Sequence, residues 1–407
     1  MKKFGLLGER LGHSFSPQIH ALLADYEYAL YEVSPGGLAG FLDDADFDGL
    51  NVTIPYKKAV LPFCESLSDN AERIGSVNTI VRREDGSLFG DNTDYFGFSY
   101  LLGRLGVCVK GKKALVLGNG GAAAAVRAVL GDQGLCDIVT ISRSGPDNYD
   151  NIEKHADAQI IINTTPVGMY PGNGASPVSL GLFSSCEAVL DVIYNPAKTE
   201  LMLQAEDLGI MCAGGLDMLV AQAKRACDLF SGSDGPDDAI GGISDIMGHK
   251  MRNIALIGMP GCGKTAVGKR IAEMTGREFF DSDEVIEAKA GKSIKRIFAD
   301  DGEDVFRDME ADTLGELLKL SGCLIATGGG IVKREINRRF LRQNSVAVFL
   351  DRAPDELPLD GRPLSLSTGI ETLYSERLPL YIEWCDFRIT ALSGVEETAG
   401  AVVEGLE

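Results

Sequence analysis

The octet GMPGCGKT, residues 258–265, constrains this chain more than any other stretch. Its glycines leave backbone N–H groups free to cradle phosphate oxygens, Lys264 reaches the outer phosphates, and the Thr265 hydroxyl is a ligand for Mg²⁺. Such a loop works between a strand and a helix, because the helix N-terminus supplies further donors and the positive end of the dipole. Both flanks are present, IALI before it and TAVGKRIAEMTG after it. Gly261, Cys262, Gly263, Lys264, Thr265 and Ala266 are therefore the expected nucleotide contacts. The loop demands a parallel α/β sheet from Arg252 onward and leaves roughly two hundred and fifty residues ahead of it to explain.

Those residues alternate short apolar, β-branched runs with amphipathic ones. KFGLLG, ALYEVS, LNVTIP, VNTIVRR, KALVLGN, DIVTISR, QIIINTT, AVLDVIY and GIMCAGG read as strands. SPQIHALLADY, YFGFSYLLGRLG and GLDMLVAQAKRACDLF read as helices, so the fold class is α/β with mostly parallel sheets. SGSDGPDDAIGG, residues 231–242, is turn-forming, DDAIGGISDIMGHK has the length of one short helix, and a fresh strand starts at Arg252. The main boundary is placed near residue 249.

Composition narrows the partners. With 407 residues, 45% of them hydrophobic and 24% charged, the chain has ordinary globular values and room for two to four domains. A net charge of -20 argues against nucleic acid and requires any anionic ligand to meet locally concentrated cations. Nine scattered cysteines without a CxxC pair, and four histidines, argue against a zinc site or disulfide framework and for free thiols in a reducing cytosol. Glu9 and Arg10 interrupt the first apolar run before it reaches signal-peptide length, and no run approaches the ~20 apolar residues of a membrane span. A cytoplasmic enzyme of small molecules is expected, and oligomeric state has no signature in the chain.

A second glycine turn lies in KALVLGNGGAAAAV, residues 113–126. Gly118, Asn119, Gly120, Gly121 and Ala122 form the strand-to-helix turn that receives a pyrophosphate in dinucleotide folds. An NAD site has Asp or Glu at the end of the next strand; here stand Ser142, Arg143 and Ser144, and Arg143 suits the 2′-phosphate of NADP. A plain turn and a solvated arginine are the alternatives.

Polar clusters surround both turns. Ser14 and Ser16 precede a helix, Asn51, Thr53 and Lys57 flank a strand end, and Asn78 and Asp94 follow in SVNTIV and GDNTDYFG. Singly, Ser16-Pro17 reads as a helix cap, Lys57 as an exposed lysine and Asp94 as an N-cap. In the second half, REFFDSDEVIE reads as a strand ending with Asp281 and Asp283, whose spacing of two puts both carboxylates on one face. The alternative is an acidic helix N-terminus. Arg307 and Glu310 have helical spacing, LIATGGGIV supplies another glycine turn, and Arg362 and Arg377 lie in DGRPLS and SERLPLY.

As sets, these motifs resemble two families. GLLGERLGHSFSP, NVTIPYKKAV, IGSVNTIV, DNTDYFGF, VLGNGGAA, NTTPVGM, DVIYNPAKTELM and GGLDMLVAQA resemble shikimate dehydrogenase, in order, over about residues 3–248. The resemblance implies Ser14 and Ser16 at the substrate carboxylate, Thr53, Asn78 and Gln222 at ring hydroxyls with Tyr194 nearby, and Gly215 and Met218 against the cofactor. Lys57 and Asp94 would be the catalytic pair, either of them a candidate to move the proton. The run SRSGPDNYD departs from the family in carrying one arginine where a second is common.

Residues 252–395 resemble shikimate kinase. This implies Asp283, Arg307, Gly329 and Arg377 around shikimate, Asp281 with Thr265 near Mg²⁺, Lys264 and Arg362 at the transferring phosphoryl group, and Asp283 as the group that accepts or orients the hydroxyl proton. The expected organisation is a substrate lobe at 1–100 plus 236–248, a Rossmann NADP-binding domain at 101–235, and a P-loop kinase domain with a parallel sheet at 249–407. The implied reactions are NADPH-dependent reduction of 3-dehydroshikimate, then MgATP-dependent phosphorylation of shikimate.

Overall fold

The computed structural model describes residues 2–12, 14–357, 369–392 and 394–406; Arg362 lies outside them. The chain divides into two compact units, residues 1–195 with 199–247 and residues 196–198 with 248–407. The division falls in the last turn of the helix Ala239–Met251, which is the one helix expected in DDAIGGISDIMGHK.

Three sheets form among the described residues. The first contains β1 (Lys3–Gly8), β2 (Glu27–Glu32), β3 (Gly49–Val52), β4 (Ser66–Leu67), β5 (Thr79–Arg82) and β6 (Leu88–Asp91), in the order β2-β1-β3-β5-β6-β4. It is mixed: β3 runs parallel to β1 but antiparallel to β5, and β5 is antiparallel to β6. These two reversals bring the end of β3, the start of β5 and the end of β6 to one edge. Its core is Leu7, Leu50, Val52 and Ile80, all nearly solvent-free.

The second sheet is wholly parallel: β7 (Lys113–Leu117), β8 (Asp137–Ile141), β9 (Ile160–Asn163), β10 (Ala188–Asp191) and β11 (Met211–Ala213), ordered β11-β10-β9-β7-β8. Alternate residues of β7 enter different cores, Ala114 and Val116 on one face, Leu115 and Leu117 on the other. Coverage on both faces explains why KALVL reads as a continuous apolar run. The helix Leu216–Ser231 sends Met218 into this core, while its Ala226 and Phe230 pack with Phe4 of the first sheet, so it ties the two lobes of the unit.

The third sheet, in the second unit, is also parallel: β12 (Asn253–Ile257), β13 (Phe279–Asp281), β14 (Leu324–Ala326), β15 (Ser345–Asp351) and β16 (Phe387–Thr390), ordered β13-β14-β12-β15-β16. In both parallel sheets the strand bearing the glycine turn has neighbours reached by opposite crossovers, which opens a crevice at its C-terminal end. Among the described residues no helix is long and apolar enough to cross a membrane.

One local reading is corrected. Asp281 and Asp283 do not share a strand face, because β13 ends at Asp281 and the helix Ser282–Ala290 begins at once. The Asp281 side chain caps that helix, its Oδ1 accepting from the Asp283 N–H at 3.0 Å. The cap turns the chain before a second strand residue pair can form.

Candidate functional sites

In the first unit the converging strand ends assemble a buried polar cluster. Lys57 follows β3, and its backbone carbonyl accepts from the Val77 N–H at 2.8 Å, which anchors it beside β5. Lys57 Nζ lies 2.6 Å from Asp94 Oδ2, with the two side chains 21% and 8% exposed. Asp94 is the first residue of the helix Asp94–Leu105; Thr93 takes the cap position, so the N-cap alternative for Asp94 does not hold. Its carboxylate still gains from the helix N-terminus. Asn78 Nδ2 donates to Asp94 Oδ1 at 2.9 Å, while Asn78 Oδ1 accepts from the Thr93 N–H at 2.7 Å. The Thr93 hydroxyl contacts Gln222 Oε1 at 3.4 Å, bringing the helix Leu216–Ser231 to the cluster.

The serines stand at a neighbouring helix start. Ser16 opens the helix Ser16–Leu23 but does not cap it: Phe15 is the cap residue, and the Ser16 N–H donates to Ser14 Oγ at 3.2 Å. Phe15 packs edge-on to Tyr194 with ring centroids 6.3 Å apart, which brings Tyr194 to the serines, and burial raises the Tyr194 pKa. Half-buried Thr53 follows β3, with its N–H on the Leu7 carbonyl.

The glycine turn after β7 reaches this cluster. Gly118 has φ +106, and a Cβ there would lie 2.8 Å from Thr164 Oγ1, so both conformation and space require glycine. Gly120 is the extended N-cap of the helix Gly121–Asp132, and a Cβ on it would meet no described atom within 4 Å. That open cradle at a helix N-terminus fits a dinucleotide pyrophosphate. A Cβ on Gly121 would come 3.7 Å from Lys57 Cδ, so the turn and the lysine adjoin one space. Ala122 lies in the first turn of that helix. At the end of β8, Ser142 turns the chain with its N–H on the Asp147 carbonyl, and Arg143 and Ser144 are exposed. The Gly215 N–H bonds the Ile193 carbonyl and Met218 is buried, which sets the start of their helix against the loop after β10.

Sequence reasoning missed two supports. Thr93 holds Asn78; its signal was its place just before a helix. Asp191, fully buried at the end of β10, accepts from Asn163 Nδ2, the Ile193 N–H and Thr199 Oγ1. Burial pushes its carboxyl up to about 6 despite these bonds. It ties together the loops that follow β9 and β10.

In the second unit a hollow of about 380 Å³ opens beside the octet. Gly261, Gly263, Lys264, Thr265 and Ala266 line it with Asp281, Asp283, Arg307, Gly329 and Arg377. Cys262 does not: its side chain is buried in the core beneath the loop and its N–H is bonded to the Met259 carbonyl. Lys264 Nζ rests on the carbonyls of Gly258 and Met259, each at 2.9 Å. The Thr265 hydroxyl donates to Asp281 Oδ2 at 2.6 Å, a pairing that suits a divalent ion taking Thr265 as ligand with the carboxylate behind it. Among the described residues no group of three His, Cys, Asp or Glu side chains forms a metal cage, so such an ion would draw further ligands from phosphate and water.

Deeper in the hollow, Arg307 donates to Glu310 Oε2 at 2.7 Å and to Glu303 Oε1 at 3.2 Å. Gly330 passes so close that a Cβ there would lie 1.9 Å from Arg307 Nη1. Arg377 Nη1 donates to the Gly329 carbonyl at 2.7 Å. Four buried atoms around this space have no hydrogen-bond partner among the described residues: Asp283 Oδ1, Glu310 Oε1, and Nε and Nη2 of Arg377. Burial, then the charges of Asp281 and Glu310, push the Asp283 carboxyl up to about 6. Unpaired buried groups of this kind are costly and call for a ligand. Two unpaired acceptors and two unpaired guanidinium donors around one hollow match a molecule that carries both hydroxyls and a carboxylate.

The comparisons with known proteins agree with this division. The model for the shikimate dehydrogenase substrate binding domain matches residues 6–80, and that for shikimate kinase matches residues 260–407. An NADP(+) shikimate dehydrogenase of Clostridium beijerinckii is 38% identical over 249 residues, 56% of this chain and 92% of that protein. Among solved structures, a chorismate mutase/shikimate 5-dehydrogenase fusion protein from Clostridium acetobutylicum matches with TM-score 0.58 and 35% identity, over 61% of this chain and 97% of that one. Shikimate 5-dehydrogenase from Thermus thermophilus, in complex with NADP(H) and shikimate, matches with TM-score 0.55 and 32% identity, over 60% of this chain and 98% of that one.

Proposed function

This chain belongs to the shikimate dehydrogenase family and carries a shikimate kinase domain behind that part, a bifunctional enzyme of the shikimate pathway; from that premise we propose that it makes shikimate from 3-dehydroshikimate in its first unit and phosphorylates shikimate at the 3-hydroxyl in its second. NADPH supplies the hydride for the first step, and MgATP the phosphoryl group for the second.

In the first unit Lys57 is the proton donor to the carbonyl oxygen. One of its three N–H bonds is engaged by Asp94, which leaves donors for a substrate oxygen. Asp94 orients the ammonium and is itself held by Asn78, so the pair is preorganised. Ser14 and Ser16 bind the substrate carboxylate, and Thr53, Asn78, Gln222 and Tyr194 bind its hydroxyls. The glycine turn, Arg143, Gly215 and Met218 hold the dinucleotide. The lobes would be residues 1–100 with 236–248 for substrate and 101–235 for cofactor, working in the cytoplasm.

In the second unit Arg377 and Arg307 take the carboxylate of shikimate, and Asp283 and Glu310 accept from its hydroxyls. Asp283 orients the attacking 3-hydroxyl and receives its proton. Lys264 and the loop N–H groups neutralise the phosphoryl oxygens, with Arg362 assigned to the same charge, and Thr265 with Asp281 places Mg²⁺. The four unpaired buried atoms around the hollow carry this reading. They also resolve the charge constraint of a chain at net -20, because the arginines and Lys264 are concentrated where anions must sit.

A coupled assay tests the reading. Given 3-dehydroshikimate, NADPH and MgATP, the protein should form shikimate 3-phosphate. Lys57→Ala should form it only from added shikimate, and Lys264→Ala should stop at shikimate. Loss of both steps through one substitution would refute two independent sites, and faster turnover of quinate than shikimate would change the substrate.

A further inference from the structure

Helix Gly121–Asp132 carries one cation, Arg127, that the chemistry above leaves unused. Its Nη1 lies 3.3 Å from Asn119 Oδ1 and 3.5 Å from Thr140 Oγ1. Both contacts are neutral and at the long limit for hydrogen bonds. Arg127 is half-buried and forms no ion pair among the described residues. Burial lowers its pKa from the ordinary value, yet a guanidinium stays charged in any protein environment. A half-buried cation without an anion is unusual, since buried charges are normally paired.

Its two neighbours bracket a defined place. Asn119 belongs to the turn that would receive the pyrophosphate. Thr140 stands on β8 two residues before Ser142, where dinucleotide folds read the adenosine ribose. The loop that follows, Ser142 to Tyr149, has Arg143 as its single basic residue, and Arg143 is exposed. The same loop carries Asp147, whose carboxylate contacts His155 at 3.0 Å. One exposed arginine is a weak match for a phosphate monoester of nearly two charges.

We infer that Arg127 is a second cation of the 2′-phosphate subsite, so that selection of NADP over NAD rests on a helix arginine and a loop arginine together. The inference builds on the assignment of NADP to this turn. The competing role is to prop Asn119 and the turn, which would serve both dinucleotides equally.

Binding of NADPH and of NADH to the full-length protein, followed by nicotinamide fluorescence without substrate, separates these. Arg127→Gln should weaken NADPH binding by about tenfold to a hundredfold and leave NADH unchanged. Arg127→Lys should retain part of the NADPH affinity, and unaltered kinase turnover reports that the chain is folded. Equal weakening of both dinucleotides, or of neither, would overturn the inference. A parent protein that binds NADH as tightly as NADPH would instead remove the assignment on which it rests.

Discussion

Asp94 holds Lys57 with one carboxylate oxygen, at 2.6 Å, and is itself held by Asn78 through the other, at 2.9 Å. Three residues from three different segments thereby fix one ammonium group. Asp94→Asn keeps the shape and removes the charge that orients the lysine. Dehydrogenase kcat should fall by about a hundredfold or more while kinase turnover is unchanged. Assaying both activities on one preparation checks this.

Gly330 leaves room for the Arg307 guanidinium. In Gly330→Ala the methyl would occupy that space, and Arg307 must leave its pairs with Glu310 and Glu303. The KM for shikimate should rise by about tenfold or more with the KM for ATP little changed, because the displaced group faces the hollow and the nucleotide loop is intact. Arg377→Gln should act in the same direction. Steady-state kinetics varying each substrate in turn decides it.

Thr265→Ala removes the hydroxyl that pairs with Asp281. The Mg²⁺ concentration for half-maximal kinase activity should rise, and Thr265→Ser should restore it. Chelation of divalent ions should abolish phosphorylation and spare NADPH oxidation, since only the second step needs charge neutralisation by a metal.

Asp191 should leave a signature in the pH dependence of stability. Its folded pKa, about 6, lies above the ordinary carboxyl value. Its protonated form therefore stabilises the fold fully below the unfolded pKa, and this contribution is lost as pH rises through about 6. The whole effect is on the order of 2–3 kcal/mol. In Asp191→Asn the slope should flatten between pH 4 and 7 although the variant is less stable overall, because one acceptor of the buried network becomes a donor. Urea midpoints of the first unit across this range, for both proteins, give the comparison; parallel slopes would remove Asp191 as the titrating group.

Local signals carried much of the architecture. Strand, glycine turn and helix were legible twice, because an apolar run, a φ that only glycine adopts easily, and an amphipathic run are each short-range properties. The error at Asp281 and Asp283 was also local. The spacing of Asp281 and Glu284 is that of a capping box, and it outweighed the strand reading. Arg127, Thr93 and Asp191 escaped notice because what each supports is set by contacts with other elements, Thr140 on β8, Asn78 beside β5 and Asn163 on β9.

The chain alone therefore determined its α/β class, its two phosphate-binding turns and the chemical types around them, since propensity, periodicity and turn chemistry act over a few residues. It did not determine which polar groups meet. Lys57 read as an exposed lysine and Asp94 as an N-cap until the antiparallel pairing of β5 and β6 brought them to one edge with Asn78. Likewise Asp283, Glu310 and Arg377 became a binding site only when packing buried polar atoms of all three and left those atoms without partners among the described residues. Desolvation and pairing depend on neighbours in space, and the tertiary structure alone chooses those.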